Sequence, residues 1–158
     1  MSDLGARLLR VWLRLSKLPG GRRVFARLLG RMVPYSGSIR PDVMELAPGR
    51  ALVALEERRA LRNHFRSVHA LALANLGELA SGLAMTLALP AGVRGIPVRI
   101  EVDYLKKARG RIVAEGRANP PPVIAEATDA TATAELRDEA NDVVARLVVR
   151  WRLSPEPH

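Results

Sequence analysis

The chain has 158 residues, 48% of them hydrophobic, the size and composition of one domain with a substantial core. It contains no cysteine, which excludes disulfides, thiolate metal sites and cysteine nucleophiles, and its three histidines, His64, His69 and His158, lack the spacing of a zinc helix motif. A net charge of +9 suits acidic ligands, but the arginines are scattered and only two tyrosines, two tryptophans and two phenylalanines could stack on bases, so specific nucleic-acid binding is not expected.

Leu4, Leu8, Val11, Trp12 and Leu15 recur at helical spacing among Arg7, Arg10, Arg14 and Lys17, which predicts an amphipathic basic helix over 3–18. Pro19-Gly20-Gly21 stops it, and Val24, Phe25, Leu28, Leu29 and Met32 predict a second such helix ending before Pro34. Two helices of this kind could lie on a membrane surface; packing on the body of the domain or on a neighbouring subunit, with the arginines in water, is the preferred expectation. Arginines recurring every few residues replace the apolar block of a signal peptide, and the expected location is cytoplasmic.

Strand periodicity begins at Ser38. Strands over 38–46 and 50–58 are separated by Ala47-Pro48-Gly49, a hairpin connection, with Pro41 favouring an edge or a bulge in the first. Asn63-His64-Phe65-Arg66-Ser67-Val68-His69-Ala70 then reads as a polar loop feeding a long apolar helix that continues from Leu71 through Met85. Asn75 and Glu78 interrupt its apolar run and Pro90 ends it, so no membrane-spanning helix is expected.

At about 100° per residue, Leu73, Leu76, Ala80, Leu83 and Leu87 form one stripe opposite Glu78, the natural core face. Beside Glu78 fall Ala74, Asn75, Ser81, Gly82 and Met85, mostly small, which predicts a groove into which the carboxylate looks. A lone carboxylate on such a helix must be paired or face a pocket or partner, because burying an unpaired charge is costly.

After Pro90-Ala91-Gly92, Val98, Ile100, Val102 and Tyr104 alternate with charged residues, a half-buried strand. Lys106-Lys107-Ala108-Arg109-Gly110 is a basic connection into a strand over 111–118, and the two strands are expected to pair as a hairpin. Asn119-Pro120-Pro121-Pro122 interrupts the pattern, a further strand lies between Val123 and Leu136, and the last is well defined over 143–153. The fold class is α+β, a sheet wrapped on the leucine stripe.

This order, with Asn63, His69 and Glu78 in their spacing and Tyr104-Leu105-Lys106-Lys107-Ala108-Arg109-Gly110 downstream, resembles the hotdog-fold acyl-CoA thioesterases, nearest to the bacterial phenylacetate-type branch. The resemblance implies a hotdog domain over 35–154, with 1–34 as two additional helices, and a curved antiparallel sheet around the central helix. It also implies subunits that pair into one continuous sheet with active sites at the interface, dimers and often tetramers. An acidic residue nine positions after a histidine serves as nucleophile or general base in related enzymes, which gives that role to Glu78; His69 is expected either to join the chemistry or to fix the loop by hydrogen bonds, and Asn63 either to orient the water or thioester or to cap the loop. The oxyanion site falls to the backbone of His69 or Ala70, where unsatisfied N–H groups and the helix dipole make physical sense of it. Relatives usually have glycines after the histidine; this chain has Ala70-Leu71, whose β-carbons narrow access. Substrate contacts are expected from Ser81 and Gly82; Lys106, Lys107 and Arg109 are read either as contacts to coenzyme A phosphates or as a solvated basic turn. The expected substrate is an acyl-CoA or other acyl thioester, with coenzyme A present only as part of it and no metal. The competing expectation is a non-catalytic acyl-CoA or lipid-binding module.

Overall fold

The computed structural model describes residues 1–156; His158 lies outside them. The elements in chain order are α1 (Asp3–Leu15), α2 (Gly21–Met32), α3 (Pro34–Gly37), β1 (Asp42–Ala47), β2 (Arg50–Leu55), a 3-10 turn (Arg59–Leu61), α4 (Ala70–Ala88), β3 (Val93–Tyr104), β4 (Ile112–Ala118), β5 (Thr128–Arg137) and β6 (Val143–Pro155). The six strands make one antiparallel sheet in the order β1-β2-β4-β5-β6-β3, curved around α4.

The leucine stripe lies where the period puts it. Leu73, Leu76, Ala80, Leu83 and Leu87 are all buried, in one core with Val53, Ile112, Ala114, Leu136 and Leu147 of the sheet. Two glycines set how closely helix and sheet approach. A β-carbon on Gly116 of β4 would lie 2.2 Å from the Ala80 backbone, and one on Gly77 of α4 would lie 2.4 Å from a Leu147 methyl. With 19 residues, α4 is long and apolar enough to cross a membrane, yet here it is the buried axis of the domain.

The expected hairpin between the strands ending at Tyr104 and starting at Arg111 does not form. β3 pairs only with β6, whereas β4 lies between β2 and β5. Alternation identifies a strand without naming its neighbour, and the connecting segment is no tight turn. It crosses beneath the start of α4, held by the Val68 N–H on the Ala108 carbonyl (2.9 Å), the Leu105 N–H on Val144 (2.9 Å) and the Gly110 N–H on Glu57 Oε2 (2.6 Å). The first strand also begins later than expected, at Asp42, because Pro34 occupies the first turn of the short α3 and Arg40 takes a left-handed φ of 53°.

The two N-terminal helices pack on the body of the domain. Leu8, Trp12, Phe25 and Leu29 are buried in the main core, with Trp12 and Phe25 edge-to-face at 5.2 Å. Ser2 caps α1 by accepting from the Gly5 N–H (3.2 Å), and its own N–H donates to Leu89 beyond the far end of α4 (2.7 Å). Arg22 ties α2 to β1 through the Val43 carbonyl and Asp42.

At the open end of the sheet, β3 is a long edge strand. Ile96, Val98 and Ile100 are 60%, 51% and 46% exposed there, and the register slips between Pro97 and Arg99. Such an apolar edge, with its backbone groups unpaired on one side, is a template for another strand.

Candidate active site around the central helix

His69 is the N-cap of α4. Its backbone is extended (φ −63°, ψ 139°), its Nδ1 accepts the Leu71 N–H at 3.1 Å, and its own N–H donates to Leu61 at 2.7 Å. The Ala72 and Leu73 N–H groups both return to the His69 carbonyl. Among the described residues nothing accepts from the Ala70 N–H, so of the two backbone positions the resemblance offers for an oxyanion, His69 is spent and Ala70 is open.

Asn63 shapes the loop ahead of that helix. Its Oδ1 accepts from the Phe65 N–H (2.9 Å), the Ser67 N–H (3.2 Å) and the Ser67 hydroxyl (3.1 Å), an Asx-type turn. Asn63, Ala70, Tyr104, Lys106 and Lys107 line one pocket of about 340 Å³ at the helix start, and the Tyr104 hydroxyl donates to the Ala70 carbonyl at 3.0 Å. Burial raises the Tyr104 phenol above its ordinary range.

Glu78 lies in a separate groove two turns farther on, about 12 Å along the helix axis from Ala70. Tyr35, Leu71, Ala74, Asn75 and Ile100 line this groove with it, enclosing about 370 Å³. Among the described residues no cation or hydrogen-bond donor reaches the Glu78 carboxylate. Burial without a compensating partner pushes its carboxyl above the usual carboxylate range. Leu71 is 63% exposed and belongs to this groove, not to the Ala70 pocket, because it sits seven residues from Glu78 on the same helix face.

Asn75 is the residue that sequence reasoning undervalued. It is 8% exposed, its Nδ2 donates to the Tyr35 carbonyl at 3.2 Å, and its Oδ1 is buried with no partner on the wall of the Glu78 groove. A buried acceptor left open beside an unpaired carboxyl is a place for a ligand donor or a water. The sequence does carry a signal, a polar residue three positions before Glu78 on the same face, but its partner comes from α3.

The other expected contacts divide. Gly82 lies beside the carboxyl, since a β-carbon there would be 3.7 Å from Glu78 Oε1 and 3.6 Å from the Trp151 ring. Ser81 faces the interior instead: fully buried, it donates its hydroxyl to the Gly77 carbonyl at 2.8 Å, which removes it from the groove. Lys106 bridges Asp138 and Asp142, so its charge is already matched. Lys107 stands over the Phe65 ring at 5.3 Å, and Arg109 has no ion pair among the described residues, which leaves these two as the available cations of the crossover. Among the described residues no three His, Asp or Glu side chains converge as metal ligands.

The family described as Domain of unknown function (DUF4442) matches residues 21–153. The chain belongs to that family. The match starts at α2, inside the segment expected to stand apart from the hotdog domain. A crystal structure from a genomics programme is 29% identical with a TM-score of 0.82, covering 97% of this chain and 99% of that one, so the N-terminal helices are shared with it. A protein of unknown function from Pseudomonas aeruginosa, described as a probable thioesterase, is 21% identical with a TM-score of 0.73 over 88% of this chain and 97% of that one. A mutant of the phenylacetic acid degradation protein PaaI from Thermus thermophilus is 22% identical with a TM-score of 0.64 over 75% and 97%. The fold is therefore the hotdog fold of thioesterase-family proteins. No curated protein matches the sequence.

Proposed function

We propose that this member of the family is a thioesterase that hydrolyses an acyl-CoA, with Glu78 as general base. The observation that carries the reading is the unpaired Glu78 carboxyl, raised by burial and lining an open groove with the unpartnered Asn75 Oδ1. Glu78 takes a proton from water, the resulting hydroxide adds to the thioester carbonyl carbon, and the developing oxyanion is held by the open Ala70 N–H. The carbonyl re-forms as the C–S bond breaks, and the thiolate leaves with the proton that Glu78 returns. Asn75 lines the same groove and ties its wall to the Tyr35 carbonyl.

Glu78 and Ala70 of one chain stand too far apart to serve one carbonyl, so the reading requires two protomers. Ile100 borders the Glu78 groove and Tyr104 the Ala70 pocket, and both lie on the open edge strand β3. Antiparallel pairing of two β3 strands reverses one against the other and brings the Tyr104 end of one protomer toward Ile100 of its partner. A homodimer with sites at the interface is thus part of the proposal. Lys107 and Arg109, at the same helix end, are the residues placed to meet coenzyme A phosphates.

The test is release of free thiol from a panel of aromatic and aliphatic acyl-CoAs by purified protein. Wild type should turn over at least one of them and Glu78→Gln should not, while retaining its fold. The exposed Leu71, Tyr35 and Ile100 walls of the groove favour one second reading, a module that binds acyl groups without cleaving them. Calorimetric binding across the panel with no turnover would select it.

A further inference from the structure

The excess charge of this chain is confined to its N-terminal helices. Residues 1–40 carry nine Lys or Arg against the single Asp3, a net charge of +8, whereas residues 41–158 carry sixteen against fifteen acidic residues, a net charge of +1. The near-neutral part pairs its charges across the sheet, as in Arg50 with Glu115 and Arg152 with Asp129. Of the nine N-terminal cations, only Arg22 has an ion-pair partner among the described residues.

The same helices leave apolar surface uncovered. Leu8, Phe25 and Leu29 floor a groove of about 390 Å³ between α1 and α2. Leu4, Val11, Leu28 and Met32 line it, each 39–54% exposed. On the other flank of α2, Arg23, Arg27, Arg31 and Arg40 line an open cleft of about 850 Å³ against α3. Arg31 borders both. α2 therefore presents apolar side chains along one flank and unpaired guanidinium groups along the other, the pattern of a helix that lies in a membrane interface.

We propose that α1 and α2 dock the protein on an anionic phospholipid bilayer, with Leu4, Val11, Leu28 and Met32 entering the headgroup–acyl boundary and the arginines contacting lipid phosphates. Charge decides among the occupants such a groove could take. A second copy would set +8 against +8, and nucleic acid would gain nothing from the exposed leucines, while Trp12 and Phe25 are buried away from any base and the exposed Tyr35 lines the Glu78 groove and neither flank of α2. An anionic bilayer satisfies both flanks of α2 together. The inference does not rest on thioester chemistry.

The test is cosedimentation of the full chain with vesicles of phosphatidylcholine alone or mixed with phosphatidylglycerol. The expected result is binding to the mixed vesicles only. Arg27→Gln and Arg31→Gln should each weaken it about fivefold, and Val11→Asp with Leu28→Asp should weaken it about tenfold or more. These side chains are outside the core, so a thermal melt unchanged from wild type shows that each variant folds. No binding to mixed vesicles, equal binding to neutral ones, or unchanged binding of the double Asp variant would overturn the proposal. So would concentration-dependent dimers that the double Asp variant abolishes, since the groove would then belong to a second copy.

Discussion

The Asn75 side-chain amide donates to the Tyr35 carbonyl at 3.2 Å and leaves its own Oδ1 buried and unpartnered in the Glu78 groove. One residue thus ties the N-terminal helices to the central helix and offers an acceptor beside the proposed base. Asn75→Leu keeps the branched shape and removes both polar groups. It should cost only about 1 kcal/mol of stability, because a lost hydrogen bond is offset by relief of an orphaned acceptor. Turnover should fall about 10-fold, since the groove wall beside the base loses its tie to α3. Steady-state kinetics on the best acyl-CoA of the panel checks this.

Glu78→Gln separates catalysis from stability. Turnover should drop by about 10²- to 10⁴-fold. A carboxyl raised on folding holds its proton more tightly in the folded chain, so ionising it costs stability as pH rises from about 4.5 through the folded value. The Gln variant should therefore melt higher than wild type at neutral and mildly alkaline pH, with the difference vanishing in acid. In wild type, the acid limb of kcat/KM should lie above the usual carboxylate range.

Glu57 has the opposite sign. The Gly110 N–H, and after it Arg62, hold its carboxyl below the usual range. Its contribution is present above about 4.5 and is lost as pH falls through the folded value. Glu57→Gln should destabilise by about 1–3 kcal/mol at neutral pH, and the gap to wild type should narrow in acid melts.

Gly116→Ala places a methyl 2.2 Å from the Ala80 backbone. Neither element can retreat without disturbing the core, so a loss of about 3 kcal/mol in denaturant unfolding is expected.

Lysines at the open edge test the shared site. Ile96→Lys with Val98→Lys should convert a dimer to monomers in light scattering and abolish turnover together, although neither residue lines the Glu78 groove.

The parts of this molecule that obey a local period were legible in the sequence. The leucine stripe and the isolation of Glu78 follow from 100° per residue, whereas the strand read from Val98 to Tyr104 forms without the half-burial expected of it, since Val98, Ile100 and Tyr104 stay exposed on the open edge. Strand partnership was not legible, because β3 chooses β6 some forty residues later over its neighbour β4 through the crossover beneath α4. Side-chain rotation was hidden as well. Ser81 and Asn75 both fall near Glu78 on a helical wheel, yet one turns its hydroxyl back onto its own helix and the other reaches across to α3.

The glycine-permitted seating of α4 has an evolutionary consequence. Glu78 stands on the most deeply packed helix of the fold, while Tyr35 and Ile100 of its groove come from α3 and the edge strand, outside that tightly seated contact. Substitutions at Tyr35, which is outside both the core and the edge strand, can therefore reshape the groove while leaving the proposed base in place, so on the proposed reading selectivity can drift independently of the machinery it serves.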